Sequence, residues 1–396
     1  MSGLRARRLA ERRAERRRRT ARGALAAAAS AVVAVGTVVG LVSALDRDRA
    51  EADEARPTVS GSPSLRPLPA VPTPSPTSNS PSPSKSSKPK PKPKKTAPAR
   101  PKPSSAPPAA SGLYRYGGSQ VLEWVRANRS DPRRPLIESR IANRPAAVWF
   151  ADYAPATITA RVRAVTSAGA SAGQVPVLVP YAVPDRDCGG HSEGGAPDLD
   201  AYGDWIERFA RGLGSREVIV ILEPDALSQT ECLSKSRQAD RYEALAHAGR
   251  ALKSANPRAR VYYDAGHSAW NPPGTQAAHL RAAGAASAAS SDGVFTNVSN
   301  FHRTSDEAAY ARKVLAAMGG PSGLGAVIDT SRNGNGAPPD GEWCDPDGRT
   351  LGRPPTLRTG EPRIDAYLWV KLPGESDGCK GEPGTFTADY AYELAD

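Results

Sequence analysis

The chain has 396 residues, 39% hydrophobic and 24% charged, with a formal net charge of +12. That charge is unevenly placed: residues 1–111 hold 22 of the 53 Lys and Arg but only 7 of the 41 Asp and Glu, leaving 31 basic against 34 acidic residues in 112–396. A nucleic-acid role read from the overall charge thereby loses its support, because a basic footprint has to lie on a folded surface rather than in a tail.

Residues 1–22, M-S-G-L-R-A-R-R-L-A-E-R-R-A-E-R-R-R-R-T-A-R, carry ten arginines and read as a cytoplasmic segment. The run that follows, 23–45, has no charged residue and is long enough to cross a bilayer, with the arginines holding its N-terminal side in the cytoplasm. V-S-A at 42–44 also resembles a small-residue cleavage site, so the run is either a transmembrane anchor or a signal peptide. Both readings put everything after residue 45 outside the cytoplasm. Residues 46–111 form a linker; from 57 it is dominated by Pro, Ser, Thr and Lys, with little to bury, and reads as a disordered, polyproline-like spacer. Fully extended, it reaches on the order of 170 Å.

From residue 112 to 396 apolar runs alternate with amphipathic stretches. The predicted strands are A-A-V-W-F, V-P-V-L-V-P-Y, V-I-V-I-L, R-V-Y-Y-D, G-V-F-T-N-V, G-A-V-I-D and A-Y-L-W-V-K. Predicted helices between them include I-T-A-R-V-R-A-V, L-D-A-Y-G-D-W-I-E-R-F-A-R-G-L and R-Q-A-D-R-Y-E-A-L-A-H-A-G-R-A-L-K. Continuous apolar strands separated by helices point to a parallel sheet covered on its outer face, and to one α/β barrel rather than two domains. The strands then run into polar and aromatic residues: Tyr181 and D-R-D-C, E-P-D, D-A-G-H-S-A-W, Asn297 and Asn300, I-D-T-S-R-N-G-N-G, and W-V-K-L-P-G-E-S-D-G. The C-terminal ends of the strands are where barrel enzymes build their sites. Helix N-caps account for some of the Asp and Ser, but not for Tyr181, Trp270, Trp369 and Lys371.

The chemistry of those ends is rich in carboxylates and tryptophans: Asp187, Asp225, Asp264, Asp329, Glu375 and Asp377, with Trp149, Trp270, Trp343 and Trp369. Aromatic faces take the apolar faces of sugar rings, acids and amides take hydroxyls, and a carboxylate pair with one raised pKa is the working part of glycoside hydrolysis. There is no H-E-x-x-H, and His267 has no neighbouring Cys or His in the sequence to make a metal site, so neither metal nor cofactor is expected. The cysteines Cys188, Cys232, Cys344 and Cys379 form no C-x-x-C pair; an even number in an exported chain suggests two disulfides, sequential pairing being one of three connectivities.

The motifs Y-A-V-P-D-R-D-C, L-E-P-D-A-L, Y-Y-D-A-G-H-S-A-W, T-N-V-S-N-F, V-I-D-T-S-R-N-G and W-V-K-L-P-G-E-S-D-G occur in the order seen in glycoside hydrolase family 6. The resemblance covers essentially all of 112–396 and implies a distorted, seven-stranded, TIM-like barrel of β-1,4-glucanases (cellulases) that invert configuration. By that resemblance Asp225 looks like the general acid and Asp187 like its neighbour, keeping it protonated by like-charge repulsion. For the base the matching candidate is Asp377, acting through a water chain. Tyr181 resembles the tyrosine that presses the reactive sugar into a distorted ring, and Ser192 the serine that holds the water. Trp149, Trp270, Trp369, Lys371 and Glu375 fall where the family lines its glucan cleft, and the cysteines match its two disulfides in sequential pairing; His267, which could equally hydrogen-bond within its loop, and Asn300 are further candidate substrate contacts. Leu372 stands where the family usually has proline, and the stretch after Trp270 is altered, which is expected to reshape a sugar subsite. The short stretches between strands leave little chain for tunnel-closing loops, so endo cleavage by a monomer is expected. With no carbohydrate-binding module visible, soluble or loosely packed glucan is the expected substrate. The competing expectation is a wall-anchored glycan-binding protein with little or no turnover.

Overall fold

Every residue of V-I-V-I-L, Val218–Leu222, is buried, and its two faces go to different places. Val218, Val220 and Leu222 pack with Tyr202, Phe209, Leu245 and Leu252, whereas Ile219 and Ile221 join Val177, Val179, Tyr262, Phe295 and Leu368. This is the period-two alternation of a strand covered on both sides. Each such aliphatic side chain contributes roughly 1.5–3 kcal/mol by leaving water, and the strand is held in register by that burial.

A computed structural model describes residues 112–190 and 192–396. The Arg-rich segment, the apolar run at 23–45 and the spacer lie outside the described residues, among which no helix is long and apolar enough to cross a membrane. Strands β1 (Val148–Phe150), β2 (Val177–Pro180), β3 (Val218–Leu222), β4 (Ala259–Asp264), β5 (Gly293–Thr296), β6 (Gly325–Asp329) and β7 (Ile364–Leu368) form one sheet in sequence order. All neighbouring pairs are parallel. The first five crossovers carry helices α3 (Ile158–Ala172), α4 (Leu199–Ala210), α5 (Lys235–Ala255), α6 (Pro273–Ala282) and α7 (Thr304–Met318). The β6-to-β7 crossover, residues 330–363, carries neither helix nor named strand.

Local chemistry sets the helix ends. Asp198 caps α4 by accepting the Ala201 N–H at 2.8 Å, and Ser234 caps α5 through the Arg237 N–H at 3.3 Å. Helix α3 stops at Gly173, whose φ of 63° closes the helix without a Cβ penalty.

The sheet curls into an incomplete barrel around the inner cluster. Between β1 and β7 the closure is slight: the Ala147 N–H reaches the Trp369 carbonyl at 2.9 Å, and the Trp149 indole N–H reaches the Val370 carbonyl at 2.7 Å. Helices α1 (Gln120–Ala127) and α2 (Arg134–Ile137), a π turn at Glu138–Ala142 and the C-terminal α8 (Ala388–Ala395) supply a third cluster, in which Val125, Ile137, Ile141 and Ala391 pack with Trp369. The distorted seven-stranded parallel barrel read from the sequence is thus the observed fold.

Candidate active site

The chain leaves β3 by breaking its own alternation. Glu223 has φ 48° and Asp225 φ 69°, both left-handed conformations that non-glycine residues rarely adopt. Asp185, Asp187 and Cys188 after β2, and Asn297 and Ser299 after β5, also have positive φ. Such strain persists only where surrounding structure enforces it, and here it gathers at the C-terminal ends of the strands.

Glu223 shows how it is enforced. Its carboxylate, fully buried, accepts the Ala182 N–H at 2.8 Å and the Val183 N–H at 3.0 Å, fastening the end of β2 to the end of β3. Burial pushes this carboxyl up to about 7, against the pull of those amides and of Arg186. The tie fixes the residue just before it, Tyr181, whose ring meets Trp149 edge-on at 5.3 Å and lies under the Arg186 guanidinium at 4.3 Å. Burial, then Asp225 and Asp187, raise the Tyr181 phenol well above its ordinary value, so it stays neutral.

Asp225 sits at the mouth, partly open to solvent but surrounded by protein. Burial first, then Asp264, then Asp187, raises its carboxyl well above the usual carboxylate range. Asp187 lies in the short 3₁₀ turn Arg186–Gly189, where its Oδ2 accepts the Ser192 N–H at 2.7 Å. Gly190 must be glycine for this arrangement, since a Cβ there would stand 2.4 Å from Asp187 Oδ2. Ser192 itself is exposed, and the structure joins it to Asp187 through its backbone.

Asp264 was visible in the sequence only as one strand-end acid among several. In the structure Asp264 stands ahead of Asp187 among the groups that raise Asp225, and burial raises its own carboxyl as well. Its carboxylate accepts the N–H groups of Leu227 (3.1 Å), Ser228 (2.8 Å) and Gly266 (2.9 Å), so it also shapes the loop that carries Asp225. Along the same rim His267 stacks on His302 with ring centres 4.2 Å apart and tilts against Trp270 at 5.2 Å. Burial and His302 lower His267 to about 3, leaving a neutral imidazole. Asn300 turns its amide to the Val298 carbonyl at 3.0 Å.

Across the barrel mouth the loop after β7 carries Lys371, Glu375 and Asp377. Asp377 is bracketed by Arg332 Nη1 at 2.7 Å and Lys371 Nζ at 2.9 Å. Glu375 accepts the Gln120 amide at 2.8 Å, and burial pushes its carboxyl up to about 7 although Lys371 and Gln120 oppose this. Trp369, which the resemblance sets along the cleft, is only 3% exposed and packs among Val125, Ile137 and Ile141, with its indole N–H on the Arg353 carbonyl at 3.1 Å. The physical reason is alternation: Leu368 and Val370 take the inner face and turn Trp369 outward. Trp343, by contrast, is 52% exposed.

Disulfides join Cys188 to Cys232 and Cys344 to Cys379, the sequential pairing. Each bond holds a loop that carries one of these aspartates: Cys188 follows Asp187, and Cys379 lies two residues beyond Asp377. Among the described residues no group of His, Cys, Asp and Glu is arranged to hold a metal ion. What the arrangement can do is donate a proton from a raised carboxyl after β3, with a second carboxylate held by cations after β7 and aromatic rings among the same strand ends.

Comparison with known proteins bears on that chemistry. Residues 112–392 match the family model described as glycosyl hydrolases family 6. The chain is 54% identical over 284 residues to "Endoglucanase 1" of Streptomyces sp. (strain KSM-9), covering 72% of this chain and 77% of that protein. It is 51% identical over 286 residues to "Endoglucanase A" of Thermobispora bispora, covering 72% of this chain and 62% of that one. Among solved structures, the endoglucanase Cel6 from Mycobacterium tuberculosis, in complex with methyl-cellobiosyl-4-deoxy-4-thio-β-D-cellobioside, superposes with a TM-score of 0.67 at 38% identity, covering 72% of this chain and 97% of that one.

Proposed function

The chain belongs to glycosyl hydrolase family 6, and from that premise we propose that it is an endo-acting, inverting β-1,4-glucanase in which Asp225 is the general acid. The observation that carries the reading is the environment of Asp225, a carboxyl at the barrel mouth held protonated by burial and by Asp264 and Asp187. Asp225 gives its proton to the glycosidic oxygen as the C1–O bond breaks. Water attacks C1 from the opposite face, and Asp377 takes the proton released, so the new reducing end forms in the α configuration. Asp187 stabilises the positive charge that develops on the sugar ring, and Ser192 holds the water. Tyr181, neutral and wedged between Trp149 and Arg186, presses on the reacting ring. Trp149, Trp270, His267, Asn300, Lys371 and Glu375 provide the sugar contacts.

Endo action is supported by the relatives at 54% and 51% identity, both named endoglucanases. The connections after β3 (223–234) and β4 (265–272) are short, whereas 181–198, 330–363 and 369–387 are longer, so any cover over the cleft has to come from those three. The disulfides suit an oxidising compartment, in keeping with export by the run at 23–45, as an anchor or as a cleaved signal. The test is the fall in viscosity of a soluble cellulose derivative plotted against reducing ends released. A steep early loss of viscosity is expected, and a slow one at equal bond cleavage would mean exo action.

A further inference from the structure

We propose that Asp345 is a positioning residue for the catalytic base, setting the orientation of the Asp377 peptide through its own buried carboxylate. The inference rests on Asp377 being the base.

Asp345 lies in the helix-free crossover from β6 to β7, directly after Cys344, and is 3% exposed. Its carboxylate collects four donors, all from the five residues 376–380: Ser376 Oγ at 2.6 Å, the Asp377 N–H at 2.8 Å, the Cys379 N–H at 3.0 Å and the Lys380 N–H at 3.0 Å. In return the Asp345 N–H points to Asp377 Oδ2 at 3.3 Å. The residue that donates from its backbone to Asp345 is therefore the same residue that accepts from Asp345 with its side chain. Burial opposes the charge on Asp345, but the Ser376 hydroxyl and the amides of Asp377, Lys380 and Cys379 outweigh it and hold the carboxyl at about 2, so it remains an anion wherever the enzyme works.

Nearby bonds share this task without completing it: the Ser376 carbonyl of the same peptide accepts the Gly384 N–H at 2.9 Å and Lys371 Nζ at 3.2 Å, while its N–H end is held by Asp345. The Cys344–Cys379 disulfide already joins the two loops, with Cα atoms 5.8 Å apart, but a single link does not fix the peptide planes of the loop it joins. Arg332 and Lys371 grip the Asp377 carboxylate, while Arg332 also stands 3.7 Å from Asp345 Oδ1 and donates to Tyr390. Those cations fix the side chain only if its backbone is held, and among these groups the backbone N–H of Asp377 goes to Asp345. At φ 47° Asp345 occupies a region that Asp and Asn tolerate better than most residues, so the exchange of one for the other keeps the local fold.

The experiment is a two-residue cycle in the full chain on a soluble cello-oligosaccharide. Asp345→Asn turns one acceptor oxygen into a donor facing other donors. Its kcat is expected to fall by about 100-fold with KM within about twofold, since a shift of the base by an ångström or less costs rate rather than substrate contacts. Asp377→Asn is expected to lose turnover, and Asp345→Asn added to it is expected to slow the residual rate no further. A near-wild-type kcat for Asp345→Asn beside an inactive Asp377→Asn overturns the positioning role and spares the base assignment. Full additivity of the two losses overturns it equally, by showing that Asp345 acts elsewhere. Near-wild-type turnover by Asp377→Asn removes the base reading itself. If Asp345→Asn does not fold, Ser376→Ala deletes one donor without a change of charge, and the same fall in kcat at unchanged KM, smaller in size, is required of it; no fall rejects the proposal.

Discussion

Replacing Glu223 with Gln should change how the protein's stability depends on pH, in a direction opposite to the usual behaviour of acidic side chains. The carboxyl ordinarily titrates near 4.5 and is pushed up to about 7 by burial. The folded protein therefore binds a proton at Glu223 that the unfolded chain releases between these values. Stability from this group is fully present below 4.5 and is lost as pH rises through 7. A shift of this size corresponds to roughly 3 kcal/mol, at about 1.4 kcal/mol per unit. Glutamine does not titrate, so Glu223→Gln lacks that slope, while Glu307, raised to about 6, and Glu375, raised to about 7, titrate alike in both proteins. Any fixed cost of the altered bonds to Ala182 and Val183 drops out when the two are compared across pH. Thermal unfolding by calorimetry at pH 4.5, 6 and 8 is the assay. Between the end points the variant should gain about 6 °C in Tm relative to wild type, taking roughly 2 °C per kcal/mol for a domain of this size. A constant difference across pH, or a wild type that gains on the variant as pH rises, would refute the reasoning.

Two substitutions address the acid directly. Asp225→Asn removes the proton donor and should reduce kcat on natural glucan by about 10²–10⁴-fold while cello-oligosaccharide still binds, as read by isothermal titration calorimetry. A kcat near wild type would mean that another group protonates the leaving oxygen. Asp264→Asn removes the carboxyl that, after burial, does most to raise Asp225. Its loss lowers the Asp225 carboxyl, so the basic limb of the kcat profile should move to lower pH, with activity falling more at pH 7 than at pH 5; an unmoved limb would assign Asp264 to loop structure alone.

Much of the fold was legible because the barrel strands are unbroken apolar runs. V-I-V-I-L and G-A-V-I-D are β3 and β6 to the residue, and the other strands shift by a few residues at their ends. The largest departure is A-Y-L-W-V-K, where the strand stops at Leu368 because the Asp329 carboxylate takes the N–H groups of Val370 (3.3 Å) and Lys371 (2.9 Å). That side-chain substitution for a neighbouring strand leaves no period to read. The short α1, α2 and α8 are stabilised by packing on one another around Trp369, partners more than 200 residues apart in the chain. Asp187, Asp225 and Asp377 could be found from their motifs. Asp264, Arg332 and Asp345 could not be ranked, since what distinguishes them is convergence: Asp264 on the Asp225 loop, Arg332 and Asp345 on Asp377. The sole sequence signal for Asp345 is its place beside Cys344, whose partner Cys379 ends the same loop.

Inverting cleavage of a β-1,4-glucan by Asp225 and a base on the loop after β7 can be followed through the anomeric protons of a cello-oligosaccharide by NMR before mutarotation. New reducing ends are expected to appear first as the α anomer. First appearance of the β anomer would contradict it, since retention requires a carboxylate nucleophile and a different pairing of these acids; binding without cleavage would leave a glycan-binding protein in its place.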